Sequence, residues 1–179
     1  MVRIIEVVAP QDNWIEQFEL EKQLLEDIYT QEIIALHHIG STAIKNSKAK
    51  PVIDMLMVVK ELSKVDKYNL EIEKIGYECL LENGISERRF FSKGGDNRSH
   101  HLHVFQVGNP EIKRHLIFKE FMNCHPEEVK TYSYLKETLA QQFSNDIDAY
   151  MAGKDAFIKN IDQKAEKWYD NKHRFRRSE

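Results

Sequence analysis

Two kinds of apolar pattern follow one another along the chain, short runs typical of strands before Pro110 and helical spacing after it. Strands are predicted where β-branched and aromatic residues form short runs bounded by turn residues. These runs are residues 2–8, 33–39, 51–59, 77–81, 88–93 and 100–107. The run at 51–59, PVIDMLMVV, is almost continuously apolar, which indicates a strand that is covered on both faces.

Helices are predicted where apolar residues recur every three or four positions. Two such segments lie among the strands, at 14–29 and 63–75, and three follow Pro110, at 111–123, 126–143 and 146–169. The glycine-rich turn at 94–97 separates two alternating runs, so 88–93 and 100–107 should form a hairpin. Strands early and helices late predict the α+β class in a single domain. We divide residues 1–179 into a sheet-rich part, 1–109, a helical part, 110–170, and a basic tail, 171–179.

Composition adds several exclusions to this picture. The chain is 41% hydrophobic and 31% charged, as in ordinary globular proteins, so long disordered segments are not expected. A net charge of −3 gives no general attraction to nucleic acid, and a nucleic-acid partner is not expected. No apolar stretch is long enough to span a membrane, so we expect a cytoplasmic protein without a membrane partner. The two cysteines lack metal or redox spacing, and the oligomeric state is left open.

Asp54 interrupts the apolar run at 51–59. A buried ionised carboxylate is costly unless it is paired, binds a metal ion or lies in a cleft. Just upstream, Gly40, Ser41 and Thr42 end the preceding strand in a turn that could hold phosphate, because glycine lets the backbone approach a ligand and the hydroxyl groups can donate. Two structural alternatives stay open. The turn serves only to reverse the chain, or Lys50 is an ion-pair partner of Asp54.

The Gly-Ser turn followed by a strand aspartate resembles the same segment of the nucleotidyltransferase superfamily. Within that superfamily, five blocks resemble successive blocks of the GrpB family and together span nearly the whole chain. The blocks are HHIGSTAI, AKPVIDMLMVV, HHLHV, RHLIFKEFM and YSYLKETLA. The resemblance implies a nucleotidyltransferase-like fold, with a small mixed, twisted sheet flanked by helices. It places the Gly40-Ser41 turn at the sheet edge and the hairpin beside Asp54.

Active members of the superfamily hold magnesium ions with several carboxylates, one of them two residues after the first. Leu56 occupies that position here and should share a face with Asp54, so the resemblance implies an incomplete metal site. His101 and His103 share one face of the strand at 100–107, and we predict that one of them hydrogen-bonds Asp54. Asp54, His101 and His103 are therefore candidates for catalysis and for binding a single Mg²⁺ or Mn²⁺ ion.

Positively charged residues near these segments are candidates for binding phosphate. The candidate ligand-binding residues are Gly40, Ser41, Thr42, Lys50, Arg88, Arg89, Arg114, Tyr150 and Lys154. Tyr150 and Lys154 are included because AYMAGKDAFI resembles the family's Tyr-x-x-x-Lys element, and residues one helical turn apart can reach a cleft together. For each charged residue the alternative is a solvated surface position.

Three functions are consistent with these features. The leading hypothesis is a protein that binds a small nucleotide or another phosphorylated ligand and has degenerate transferase machinery. The second is a metal-dependent nucleotidyltransferase or phosphoesterase that uses Asp54 with His101 or His103. The third is a non-catalytic adaptor that binds another protein, which a large apolar patch on the helical part would favour.

Overall fold

We describe residues 4–176 of a computed structural model, and within them five strands form one mixed sheet. The strands are β1 (Ile33–Ile39), β2 (Ile53–Val59), β3 (Tyr77–Cys79), β4 (Arg88–Lys93) and β5 (His100–Gln106). Their order across the sheet is β1-β2-β5-β4-β3. β2 and β5 run parallel, whereas the other neighbours are antiparallel. The predicted α+β class, the hairpin beside Asp54 and the Gly40-Ser41 turn at the sheet edge are confirmed.

Within the part of the chain that the structure describes, five α-helices accompany the sheet. They are α1 (Asn13–Tyr29), α2 (Asn69–Lys74), α3 (Pro110–Cys124), α4 (Pro126–Gln142) and α5 (Ile147–Arg176). α3 and α4 each begin at a proline, which suits a first helical turn because its missing N–H would have no partner there. No helix within residues 4–176 is long and apolar enough to cross a membrane.

Three predicted boundaries were wrong. The run at 2–8 forms no strand within its described residues, and its one ladder contact is the bridge between Val8 and Ala49. The Ile5 amide instead donates to the carbonyl of Ser144, in the loop between α4 and α5. This segment therefore pairs with loops and adds no strand to the sheet. The helix predicted at 63–75 begins as a 3₁₀ helix, Leu62–Tyr68. The basic tail predicted at 171–179 continues α5 through residue 176, and 177–179 lie outside the described residues.

The two faces of the sheet differ in polarity because side chains alternate along each strand. One face, which includes Met55, Met57 and Val104, packs in a large apolar core with α1. The other face carries Asp54 opposite His101 and Leu56 opposite His103 in the parallel register of β2 and β5. The predicted common face of Asp54 and Leu56 is thereby confirmed, and the polar groups lie beneath the C-terminal helices.

Candidate functional site

A cavity of about 120 Å³ lies where β1 ends and where β2 and β5 begin. We call it the Asp54 cavity. Its lining residues come from the turn after β1, the loop before β2, both parallel strands, α4 and α5. They are Ser41, Thr42, Ala49, Lys50, Val52, Asp54, His101, Lys136, Tyr150, Met151 and Lys154. Seven of the predicted site residues therefore meet in one place, although they are widely separated in sequence.

The carboxylate of Asp54 is bound by the two predicted histidines. Asp54 Oδ1 lies 3.2 Å from His101 Nδ1 and 3.9 Å from His103 Nε2, which confirms the predicted hydrogen bond. Burial alone would raise the pKa of Asp54, but the two imidazoles outweigh burial and hold that pKa well below its usual range. Asp54 is thus ionised at neutral pH. Burial lowers the pKa of His103, and Asp54 offsets part of that effect.

Arg88 on β4 fixes the orientation of the His103 ring on the neighbouring strand β5. Arg88 Nη1 lies 3.3 Å from His103 Nδ1, and its other nitrogens donate to the backbone carbonyls of Glu82 and Asn83. A guanidinium can only donate, so Nδ1 of His103 accepts and Nε2 carries the hydrogen that faces Asp54. Arg88, predicted as a ligand-binding residue, is therefore a positioning residue in this structure, because its side chain is occupied by protein groups.

Gly40 brings the backbone directly against Asp54. Its φ of 68° and ψ of −169° lie in a region that is essentially restricted to glycine. A Cβ atom built on Gly40 would lie 2.6 Å from Asp54 Oδ2, well inside van der Waals contact. The next residues, Ser41–Ala43, form a short 3₁₀ helix, in which the Thr42 hydroxyl lies 2.8 Å from His38 Nε2. The glycine of the turn is therefore required by the close approach to the carboxylate.

Lys136 is a site residue that the sequence analysis missed. Its Nζ donates to Ser41 Oγ and Ser47 Oγ, both at 3.0 Å, and to the Lys48 carbonyl. The side chain is only 2% exposed, and burial, aided by the charge of Lys154, lowers its pKa to about 7. Lys136 is the one charged residue among the buried positions of α4, where most of the others are apolar, and that position was the signal available in the sequence.

Two further lysines flank a buried tyrosine ring. The Nζ atoms of Lys154 and Lys50 lie 4.6 Å and 5.2 Å from the centroid of Tyr150. Tyr150 and Lys154 are both buried, which confirms that this pair on α5 reaches the cavity together. Burial lowers the pKa of Lys154 to about 8, and the charge of Lys50 contributes to that shift.

Two predicted arginines do not reach the Asp54 cavity. Arg89 faces away from Arg88 because neighbouring strand residues alternate, and it forms a two-pronged ion pair with Asp66 at 2.7 and 2.9 Å. Arg114 on α3 pairs with Glu111 at 2.8 Å and with Asp162 of α5 at 3.3 Å. The structure thus gives both arginines protein partners outside the cavity lining.

The donor set does not fit the two-magnesium centre of an active nucleotidyltransferase. Leu56 stands where the second carboxylate is needed, and its side chain is fully buried against Ile39 and Phe105. Within residues 4–176, no three His, Cys, Asp or Glu side chains are grouped so that they could hold a metal ion. The single-metal role predicted for Asp54, His101 and His103 stays a prediction.

The sheet, the turn and the aspartate together define a protein with a nucleotidyltransferase-like fold. Cid1 in complex with its short product ApU superposes with a TM-score of 0.51, at 11% identity, over 73% of this chain and 42% of Cid1. At that identity the likeness establishes the fold alone. The chain belongs to the GrpB family, whose profile, described as GrpB protein, matches residues 4–164.

Other proteins resemble the chain over most of its length. The crystal structure of GrpB from Enterococcus faecalis superposes with a TM-score of 0.89, at 45% identity, covering 92% of this chain and 99% of that one. The UPF0157 protein YqkA of Bacillus subtilis (strain 168) is 43% identical over 166 residues, which are 93% of this chain. The chain spans only 48% of the length of YqkA.

Proposed function

We propose that the protein binds a small nucleotide or another phosphorylated ligand, with the phosphate groups in the Asp54 cavity. The observation that carries this proposal is the charge of the cavity. Lys50, Lys136 and Lys154 reach it from three separate elements, whereas Asp54 is the one acidic residue among the described residues that line it. Asp54 is already held by His101, and neither Lys136 nor Lys154 has a carboxylate hydrogen-bond partner among the described residues, so an anion in the cavity would balance the charge of these two lysines.

Lys154 offers the most direct contact for a phosphate oxygen. Its Nζ lies over the face of Tyr150, and among the described residues no hydrogen-bond acceptor contacts it. An ammonium group has three N–H donors, so Lys154 can bind anionic oxygens without losing existing hydrogen bonds. Lys136 acts differently, because its three donors are used by Ser41, Ser47 and Lys48. It adds charge and fixes the Ser41 hydroxyl at the cavity wall.

Isothermal titration calorimetry tests the proposal with nucleoside mono-, di- and triphosphates, pyrophosphate and inorganic phosphate. We expect at least one of them to bind the wild-type protein. Lys154→Met should weaken that ligand roughly ten- to hundredfold, the range expected for a lost charge-assisted hydrogen bond. Lys159→Met is the matched control, because Lys159 lies on the same helix with its side chain 70% exposed. Absence of binding by the entire panel would contradict the proposal.

The pH dependence of binding gives an independent prediction. The pKa values of Lys136 and Lys154 are lowered to about 7 and about 8, so the unliganded cavity loses positive charge as the pH rises through this range. A bound phosphate favours the charged ammonium groups, so binding takes up protons. We expect the dissociation constant to increase roughly tenfold or more between pH 7 and pH 9, where a phosphate with a second pKa of about 6 stays ionised.

This dependence is measured by calorimetry at several pH values in buffers of different ionisation enthalpy, which reports the number of protons taken up. In Lys154→Met the proton uptake above pH 7 should decrease. An affinity that stays constant or improves from pH 7 to pH 9 would show that the ligand does not bind beside these lysines.

The geometry of Asp54 and His101 favours a second candidate function, that of a transferase or phosphoesterase. An ionised carboxylate only accepts hydrogen bonds, so His101 Nδ1 donates to Asp54 and a neutral His101 has its lone pair at Nε2. A carboxylate-oriented imidazole can accept the proton of an attacking hydroxyl group, whose oxygen bonds to phosphorus as the bond to the leaving group breaks. In this structure Nε2 of His101 is buried without a hydrogen-bond partner among the described residues, so this role requires the ring to move toward the substrate. Product formation that persists in Asp54→Asn would rule this role out.

A further inference from the structure

We infer that Lys136 and Lys154 neutralise the phosphate charge of the ligand in place of divalent metal ions, so that the ligand binds without a metal. The inference rests on the proposed function and specifies the chemistry of the same site. It predicts a ligand that carries at least two negative charges on neighbouring phosphates, such as a nucleoside diphosphate or pyrophosphate.

One oxygen of the Asp54 carboxylate is engaged by protein groups. Oδ1 accepts the hydrogen bond from His101 at 3.2 Å, with His103 at 3.9 Å. Oδ2 lies against the turn, so close to Gly40 that a Cβ atom built on that residue would be 2.6 Å away. A metal ion that bound Oδ1 would have to displace His101. The preorganised state of Oδ1 is therefore that of a hydrogen-bond acceptor.

The position of the second carboxylate on β2 is held by an apolar side chain that is packed in place. Leu56 is fully buried in an apolar cluster with Ile39 and Phe105, which α3 covers through Ile112 and Leu116. A divalent ion bound near Leu56 would lose water ligands without gaining oxygen ligands, and Mg²⁺ dehydrates reluctantly. Leu56 does not line the Asp54 cavity, so at this position the chain offers no oxygen ligand for the second ion of a two-metal mechanism.

The two buried ammonium groups supply the charge that one divalent ion would supply. Lys136 is fixed by three acceptors, and Lys154 by its position over the Tyr150 ring. Both side chains line the same cavity, and the charge of Lys154 contributes to lowering the pKa of Lys136. An anion placed between them relieves this repulsion and costs no metal dehydration. Buried ammonium groups attract phosphate more strongly than exposed ones, because a lower dielectric constant strengthens the attraction between opposite charges.

The inference is tested by titrating the wild-type protein with ADP and with pyrophosphate, first in excess EDTA and then in millimolar Mg²⁺ or Mn²⁺. We expect tight binding in EDTA and equal or weaker binding with metal, since the ion competes with the lysines for the phosphate oxygens. In EDTA, Lys136→Met and Lys154→Met should each bind at least tenfold more weakly, and Lys159→Met should match wild type.

The possible outcomes separate this inference from the proposed function. Binding that is tenfold or more tighter with metal than in EDTA would overturn the inference and leave the proposed function intact. Failure of both ligands and of the whole nucleotide panel under every condition would overturn both. If Lys136→Met does not fold, Lys154→Met alone tests the inference. Unchanged affinity in that variant would overturn the inference.

Discussion

Gly40→Ala is expected to abolish ligand binding and to lower the free energy of unfolding by about 2–5 kcal/mol, from backbone strain together with overpacking. The backbone conformation of Gly40 is one that residues with a Cβ atom rarely adopt. The added carbon would also meet Asp54 Oδ2 at 2.6 Å, so the turn or the carboxylate must move. Urea denaturation measures the stability, and calorimetry measures the binding.

Gly95→Ala is the control for this experiment. Gly95 also has a positive φ, of 56°, but nothing lies within 4 Å of a Cβ atom built there. Gly95→Ala should lower the free energy of unfolding by about 1 kcal/mol, the usual penalty for alanine in a left-handed conformation, and should leave binding unchanged. If Gly40→Ala were no less stable than Gly95→Ala and retained binding, close contact between the turn and Asp54 would not matter for the site.

Asp54→Asn is expected to lower the free energy of unfolding at pH 7 by about 2–3 kcal/mol, because it removes the charge from a buried hydrogen-bonded group. The effect should depend on pH in a defined direction. The pKa of Asp54 is lower in the folded protein than in the unfolded chain, so its stabilisation is complete above about pH 5. It is lost progressively as the pH falls further.

Denaturation curves of wild type and Asp54→Asn between pH 7 and pH 3 check this prediction. The difference in the free energy of unfolding between the two proteins should be constant down to about pH 5. It should then shrink, because protonation of Asp54 in the unfolded chain removes the stabilisation that its low pKa provides. Asp155→Asn is a suitable control, since its side chain is 58% exposed and pairs only with the exposed Lys159 among described residues. A difference that increases on acidification would contradict the direction assigned to the pKa of Asp54.

The sequence was most informative where side-chain alternation and burial acted together. An aspartate within the apolar run of β2 and two histidines two residues apart in β5 predicted a shared polar site, and the structure joins them. These predictions needed only the two-residue period of a strand and the cost of burying charge. Gly40 could also be assigned, because few residues other than glycine permit so close a backbone approach.

The rest of the site depends on packing between distant elements, which a local pattern does not encode. Lys136 was missed because its partners, Ser41 and Ser47, belong to a loop some ninety residues earlier in the chain. Arg89 was assigned to the site although strand alternation already separates it from Arg88, and its partner Asp66 lies in the 3₁₀ helix after β2. The charge of a side chain was a poor guide to membership of the site, because charged residues also form ion pairs elsewhere on the protein.

The parallel pairing of β2 with β5 also has a consequence for how the chain acquires its site. Asp54 and His101 are 47 residues apart and Ser41 and Lys136 are 95 apart, so both contacts close long loops of chain. Contacts of such high sequence separation form slowly and late in folding. A nascent or partly folded chain therefore has the turn and the aspartate without the lysines of the C-terminal helices. A ligand of the Asp54 cavity would bind the completed fold alone, and it would stabilise newly made protein against unfolding by an amount that grows with the logarithm of its concentration above the dissociation constant.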